Sequence, residues 1–209
     1  FAADSFGANP GAIYSVNPAN AQATYLGNAG AAMNDLAWDP RTGDLYGTDS
    51  AGNLWANVDD PANSTVVGNY GLGGLEVGIG FDSAGNIYVH ELGSDTIYSG
   101  AAGSLTTLSP LHALPFDSNF SQGLYVDWSD TDGGFHGALN NSNLTSPNHE
   151  FGTLLTGGGY NATPSSVFAT AGTGLPEVEV GDLTRFPVPA PSSLALLGLG
   201  GLAAARRRR

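Results

Sequence analysis

One pattern occurs twice in this chain, first as Asn34-Asp-Leu-Ala-Trp-Asp-Pro-Arg-Thr-Gly-Asp-Leu-Tyr-Gly47 and again as Glu76-Val-Gly-Ile-Gly-Phe-Asp-Ser-Ala-Gly-Asn-Ile-Tyr-Val89. Each copy has two short runs in which apolar or aromatic residues alternate with small or polar ones, and such alternation is typical of β-strands. The residues between the runs include Asp and Gly, and in the first copy Pro, which favour a tight turn. The pattern therefore predicts a repeated antiparallel β-hairpin.

Two further strand patterns recur with the same spacing. One is found at Ala12-Ile-Tyr-Ser-Val16, Asn53-Leu-Trp-Ala-Asn57 and Thr96-Ile-Tyr-Ser-Gly100. The other is found at Thr24-Tyr-Leu-Gly27 and Val66-Val-Gly68, and a weaker copy of the hairpin begins at Gly123-Leu-Tyr-Val-Asp127. Four short strands in a repeat of about 42 residues match the length of a propeller blade.

We therefore predict an all-β fold of antiparallel β-propeller-like repeats over residues 1–187. The length corresponds to about four and a half repeats, which predicts a four-bladed or open assembly, or a fragment of a larger propeller. The chain begins with Phe1 rather than Met, so we expect it to be either processed or a fragment. Residues 177–186 alternate like a strand, and we expect them to pair near Ile13 and close the ring. Residues 137–175 are rich in Asn, Ser, Thr and Gly, which predicts either a degraded blade or a long surface excursion.

Aromatic residues occupy equivalent positions in the repeats, so we predict that they form the blade core rather than a sugar-binding platform. They are Trp38, Tyr46, Trp55, Phe81, Tyr88 and Tyr98. Trp128 and Tyr160 lie outside the clear repeats and are the better candidates for ligand binding. Small residues near the innermost strands, such as Gly78 and Gly80, fit the crowded axis of a propeller.

The chain of 209 residues is acidic, with a formal net charge of -13 at pH 7. All 19 acidic residues precede Pro187, and the body contains only two of the six arginines, Arg41 and Arg185. A body this acidic repels phosphate backbones, so we predict no nucleic-acid binding. The absence of Cys excludes disulfides, thiolate metal sites and a cysteine nucleophile, and the absence of Lys excludes Schiff-base and P-loop chemistry.

The end of the chain, residues 188–209, differs from the body. A proline-rich spacer leads into an apolar run, residues 194–205, and the chain ends with Arg206, Arg207, Arg208 and Arg209. As a helix, the apolar run would measure about 18 Å, which is shorter than the roughly 30 Å hydrocarbon core of a bilayer. The arginines would act as a membrane stop on the cytoplasmic side, with the body on the far side. We therefore predict a short hydrophobic helix that anchors the protein temporarily; the alternative is a buried core helix with a basic end.

This tail resembles the PEP-CTERM sorting signal of Gram-negative bacteria. Pro189-Ala190-Pro191 stands where that family has Pro-Glu-Pro, and the apolar run and terminal arginines follow in the family's order. The resemblance implies Sec export, transient retention in the inner membrane, recognition and cleavage by exosortase, and delivery to the cell surface or biofilm matrix. The body loosely resembles bacterial WD40-like or quinoprotein-like propellers, which is a likeness of architecture and implies no function.

A candidate calcium site lies in the segment Asp127-Trp-Ser-Asp-Thr-Asp-Gly-Gly134, where Asp127, Asp130 and Asp132 supply carboxylate oxygens. Oxygen ligands at this spacing suit Ca²⁺, although the remaining ligands of an EF-hand are absent, and an acidic hairpin turn is the alternative. If the site binds calcium, millimolar Ca²⁺ is expected to raise the melting temperature in differential scanning fluorimetry, with Mg²⁺ as the control. An unchanged melting temperature would reject the calcium site.

No catalytic motif is present. The four histidines, His90, His112, His136 and His149, form no metal-binding motif, and we predict that they are scattered surface or loop residues. The neighbouring carboxylates Glu177 and Glu179 are expected to face solvent. We therefore predict an exported, non-catalytic binding or structural protein, with Ca²⁺ as its one candidate cofactor and extracellular polysaccharide as its candidate partner. The alternative is an extracellular propeller enzyme acting on polysaccharide, and convergence of acidic or His side chains from several blades in one pocket would favour it.

Overall fold

The computed structural model describes residues 1–5, 7–114, 124–126, 135–140, 149–155 and 159–164. Within these ranges every long element is a β-strand, and the strands form four antiparallel sheets. The all-β, propeller-like fold predicted from the repeats is confirmed. The predicted calcium ligands, residues 177–186, Trp128 and the C-terminal segment lie outside the described residues. No membrane-spanning helix is found in the described part of the chain.

The strands follow the chain order within each sheet, so each sheet is a simple meander. The first sheet contains β1 (Ala2–Ala3), β2 (Ala12–Asn17) and β3 (Gln22–Asn28). The second contains β4 (Met33–Asp39), β5 (Asp44–Asp49), β6 (Asn53–Ala56) and β7 (Thr65–Asn69). The third contains β8 (Glu76–Phe81), β9 (Asn86–Glu91), β10 (Thr96–Ala101) and β11 (Ser109–Ala113). The fourth contains β12 (Leu124–Val126), β13 (Phe135–Asn140), β14 (His149–Leu155) and β15 (Gly159–Pro164). The described parts of residues 137–175 therefore lie in strands of one four-stranded sheet, as the predicted blade requires.

The sheets stack as blades through their innermost strands, because β4 lies beside β8 and β8 beside β12. Each boundary between blades buries its own apolar cluster. The clusters contain, in blade order, Ile13, Met33 and Val58; Leu54, Ile79 and Ile87; and Tyr88, Ile97 and Leu124. A sheet with two apolar faces must stack on neighbours, so the repeat pattern and the stacking have the same physical origin.

A β-bulge marks the same position in three blades. It follows Ile13 between β2 and β3, Leu54 between β6 and β7, and Ile97 between β10 and β11. These are the three residues that align in the sequence repeat, so β2, β6 and β10 are equivalent third strands of their blades. The described part of the first blade therefore consists of second, third and fourth strands.

The innermost strands approach each other closely at the two predicted glycines. A Cβ atom on Gly78 would lie 3.0 Å from Cβ of Leu124, and one on Gly80 would lie 2.4 Å from Cγ2 of Val126. The second distance is too short for any side chain unless Val126 shifts, in its side chain or together with β12. Small residues at these two positions thus allow the third and fourth blades to pack.

The prediction that the repeated aromatics form the core is correct for some of them and wrong for Trp38. Phe81 and Tyr88 are buried, whereas Trp38 is 45% exposed. Phe81 packs on Tyr46 of the preceding blade, with ring centroids 4.9 Å apart. Trp38 is the equivalent residue one blade earlier and stacks on Phe1 at 6.5 Å, but no described strand covers this pair.

Candidate functional site

Buried polar side chains gather at one end of the blade stack, which we call the polar end. They lie where β4, β8 and β10 begin and where β5, β9 and β11 finish. They are Asn34, Asp35, Thr48, Asp49, Glu76, His90, Glu91, Thr96 and His112. Among the described buried polar residues only Asp39 lies at the opposite end. The prediction that the histidines are surface or loop residues is wrong for His90 and His112, which are buried in strands.

Asp49 holds the hairpin between β5 and β6 with four hydrogen bonds. Its carboxylate accepts from the amides of Ala51 and Asn53 at 2.9 and 3.0 Å, from Asn53 Nδ2 at 2.9 Å and from Trp55 Nε1 at 2.8 Å. Burial acts to raise the pKa of Asp49, but these donors outweigh it and the pKa is lowered. Asp49 is therefore an ionised acceptor that shapes a turn.

The same position carries an acidic acceptor in the neighbouring blades. Asp4 accepts from the amides of Gly7 and Asn9 after β1, and Glu91 accepts from the amides of Gly93 and Ser94 after β9. In the first three blades, a carboxylate at the end of the second strand thus satisfies hairpin amides that would otherwise lack partners. These turns after the second strands were not predicted from the sequence. A heptapeptide that begins at Asp49, and recurs in nearly the same form at Asp82, is the pattern that indicates such a hairpin.

Two side chains of the first repeated stretch tie the second blade to the third. Asp35 Oδ2 accepts from the amide of Ile79 at 2.7 Å, and Asn34 Nδ2 donates to the carbonyl oxygen of Glu76 at 2.9 Å. Both bonds cross from β4 to β8 in a buried setting. The bond to Asp35 has a carboxylate acceptor, and such bonds are stronger when the acceptor is charged. Asp35 therefore contributes to blade stacking.

Glu76 differs from the other acidic residues at the polar end. It is 1% exposed, and its Oε2 has no hydrogen-bond partner among the described residues. Burial raises its pKa, and the negative charges of Glu91 and Asp49 raise it further. Tyr70 is 2% exposed, and burial raises its pKa. The negative charge of Glu76 also raises the pKa of Tyr70. Glu76 and Asp49 thus have pKa values shifted in opposite directions, because Asp49 accepts four hydrogen bonds and Oε2 of Glu76 accepts none from the described residues.

Replacing Glu76 with Gln is expected to stabilise the protein by about 1 kcal/mol at pH 8, because the substitution removes a buried charge. The folded pKa lies above the unfolded value, so the cost in the natural protein is present above the folded pKa and disappears as the pH falls. Urea unfolding at pH 8 measures the effect. Glu91→Gln is the control and should destabilise, because its carboxylate accepts several hydrogen bonds. Destabilisation by Glu76→Gln would contradict the prediction.

His90 lies on the face of the third blade that packs against β12. Burial lowers its pKa to about 4, although the negative charges of Asp95 and Glu91 oppose this shift. His90 and His112 are both paired with Ile97, one on each neighbouring strand, so the three residues form one row across the sheet. His136 lies in β13 and His149 in β14. The described residues contain no group of three or more acidic or His side chains that could hold a metal ion.

A groove of about 660 Å³ opens between the second and third blades. Its walls include Arg41, Tyr46, Ser104, Thr106 and Thr107. Arg41 Nη2 bonds to Oδ2 of the buried Asp39 at 2.8 Å, while the arginine side chain is 41% exposed. The groove has a volume within the range of small-ligand sites and combines a fixed guanidinium with exposed hydroxyl groups.

The acidic side chains of two blades do converge at the polar end, but not in an open pocket. Asp35, Asp49 and Glu91 accept hydrogen bonds from backbone amides, and Glu76 is almost fully buried. Substrate could not reach these carboxylates without separation of the blades. Among the described residues, the converging carboxylates Asp35, Asp49 and Glu91 therefore serve turns and blade contacts.

Comparison with known proteins agrees with this architecture. One chain in the crystal structure of a nidogen/laminin complex is similar with a TM-score of 0.56 and 18% identity, over 76% of this chain and 60% of that chain. A streptogramin B lyase structure is similar with a TM-score of 0.49 and 17% identity, over 77% of this chain and 50% of that chain. The chain therefore spans less than two thirds of either structure. No curated protein matches it.

A family model matches the C-terminal end of the chain and not its β-propeller-like body. Residues 187–209 match the PEP-CTERM protein-sorting motif. This motif marks exported proteins that carry a hydrophobic C-terminal signal for membrane transit and are then cleaved and delivered to the surface or the extracellular space.

Proposed function

We propose that the protein is a non-catalytic binding module displayed at the cell surface or in the extracellular matrix, with extracellular polysaccharide as its ligand. The sorting motif at residues 187–209 supports display outside the cell. The engagement of the acidic residues in turns and blade contacts supports binding rather than catalysis. We further propose Pro189, Ala190 and Pro191 as the motif at which exosortase acts.

The groove between the second and third blades is the proposed binding site. Sugars present many hydroxyl groups, which pair with a planar guanidinium and with side-chain hydroxyls. Arg41 is held in place by Asp39, so little side-chain entropy is lost when a ligand binds. Ser104, Thr106 and Thr107 are exposed along the opposite wall and can donate or accept hydrogen bonds.

Binding and turnover can be separated with the mature protein and extracellular polysaccharide prepared from a producing bacterium. We expect isothermal titration calorimetry to detect binding, with no change in polymer length over a day by size-exclusion chromatography. Arg41→Gln should weaken binding at least about tenfold, or about 1.4 kcal/mol. Thr24→Ala on the exposed strand β3 is the control and should leave binding unchanged.

The enzyme alternative would give a different result in the same assay. Glu76 has the raised pKa that a general acid needs, but it could protonate a substrate only if the blades separated to expose it. Shortening of the polymer that is lost in Glu76→Gln would replace the binding proposal with the enzyme. Absence of binding to any extracellular polymer fraction would also reject the proposed ligand.

A further inference from the structure

One basic side chain and one acidic side chain are found among the described residues that line the groove between the second and third blades. They are Arg41 and Asp39. Arg41 is also the only lysine or arginine in the part of the chain that the structure describes. A negatively charged ligand in this groove would therefore depend on Arg41 for its opposite charge, so the contacts of this arginine determine which ligands can bind.

Asp39 occupies one edge of the Arg41 guanidinium. Nε donates to Oδ1 of Asp39 at 3.3 Å, and Nη2 donates to Oδ2 at 2.8 Å, so the two groups pair through two bonds. The opposite side of the guanidinium borders the third blade, since a Cβ atom on Gly85 would lie 2.7 Å from Nη1. An arginine binds a carboxylate or phosphate most strongly through a pair of bonds along one edge. One such edge is already taken, and the other lies against the turn between β8 and β9.

The charge of Arg41 is balanced by neighbouring carboxylates. The hydrogen bond to Asp39 raises the pKa of Arg41, and the negative charge of Asp82 also raises it. Burial acts to raise the pKa of Asp82, but hydrogen bonds from Asn86 and other donors outweigh it, so the pKa is lowered and the group is ionised. A ligand carboxylate would thus add a further negative charge beside two that share one cation, and burying an unbalanced charge is costly. The acidic body adds long-range repulsion.

The walls of the groove also present apolar surface and neutral hydrogen-bonding groups. The side chain of Val67 is 53% exposed, and Leu105 of the facing blade is buried beside the groove. Asn69, Thr106 and Thr107 are exposed and supply amide and hydroxyl groups. Uncharged sugar rings have apolar C–H faces and hydroxyl groups at their rims, so they match both kinds of surface.

We infer that the groove is selective for uncharged polysaccharide and excludes polymers that carry carboxylate or sulfate groups. This selectivity rests on the proposed function, because it specifies the ligand of the same groove. The N–H groups of Arg41 outside the two bonds to Asp39 donate to sugar hydroxyl groups. Arg41 therefore recognises hydroxyl groups by the geometry of its donors, while Asp39 balances its charge.

Anion-exchange chromatography of the extracellular polysaccharide gives an unretained, uncharged fraction and a retained, acidic fraction. Each fraction is titrated into the mature protein by isothermal titration calorimetry at about 20 mM and about 300 mM NaCl. We expect the Kd of the uncharged fraction to change less than about twofold with salt, because no charges are paired on binding. The acidic fraction should bind at least about tenfold more weakly even at the higher salt concentration, where charges more than about 8 Å apart are largely screened.

The outcomes distinguish this selectivity from the proposed function. Equal or tighter binding of the acidic fraction at either salt concentration would overturn the selectivity and leave the proposed function standing. Failure of both fractions to bind would reject the proposed function, and the selectivity with it.

Replacing Arg41 with Lys separates recognition of hydroxyl groups from recognition of charge. Lysine keeps the positive charge but lacks the planar set of donors. We expect Arg41→Lys to weaken binding of the uncharged fraction at least about tenfold, as in Arg41→Gln, because both variants lose the guanidinium. Thr24→Ala is again the control. Full affinity in Arg41→Lys together with a loss in Arg41→Gln would show that the groove recognises charge and would overturn the selectivity.

Discussion

Replacing Asp49 with Ala is expected to lower the free energy of unfolding by about 3 kcal/mol. The carboxylate is 6% exposed and accepts four hydrogen bonds, from two backbone amides, Asn53 Nδ2 and Trp55 Nε1. Its removal leaves these donors without partners in a setting that water reaches poorly, and each such donor costs about 1 kcal/mol or more. Urea unfolding monitored by circular dichroism at pH 7 measures the loss.

The chain contains a matched control for this substitution. Asp82 accepts the equivalent four bonds, from the amides of Ala84 and Asn86, from Asn86 Nδ2 and from the hydroxyl group of Tyr88. Its turn is more exposed, so water can replace the lost acceptor, and Asp82→Ala should cost only about half as much. An equal loss of unfolding free energy in Asp49→Ala and Asp82→Ala would show that burial of the turn does not determine the cost of removing the carboxylate. No loss in Asp49→Ala would contradict the prediction.

The two turns also show why the sequence predicted some features and missed others. Asp49-Ser-Ala-Gly-Asn-Leu-Trp55 and Asp82-Ser-Ala-Gly-Asn-Ile-Tyr88 are nearly identical, yet one joins the second and third strands of its blade and the other joins the first and second. Local sequence therefore specifies the hairpin, but not its place in the blade. A search for a period of about 42 residues finds the strands, but it overlooks these two heptapeptides because the distance from Asp49 to Asp82 is shorter than the period.

The polar end could not be predicted because burial there arises from stacking. The alternating sequence of β9 predicts a strand with one buried and one exposed face, yet the neighbouring residues His90 and Glu91 are both buried. His90 faces the fourth blade, and Glu91 pairs with Glu76 of β8. A strand covered on both faces has no polar face to signal its environment. Trp38 is the opposite case, since its sequence position predicts burial but no described strand covers it.

Acidification between pH 6.5 and 4 is expected to destabilise the protein through His90. Burial lowers the pKa of His90 to about 4 in the folded state, against 6.5 for an ordinary histidine. Over this window the unfolded chain binds a proton that the folded protein does not, so stability falls as the pH falls. This lowering of the His90 pKa corresponds to a loss of about 3 kcal/mol in the free energy of unfolding between pH 6.5 and pH 4.

Glu76 acts in the opposite direction in part of the same window, because its pKa is raised and protonation removes its buried charge. The measurement is therefore made in the Glu76→Gln background, with urea unfolding at intervals between pH 7 and 4. Asp49 and Asp82 have lowered pKa values and lose their contributions only below this window. In that background, His90→Gln should flatten the pH dependence, because a neutral amide binds no proton in either state. Parallel pH profiles with and without His90 would show that another group controls the acid sensitivity.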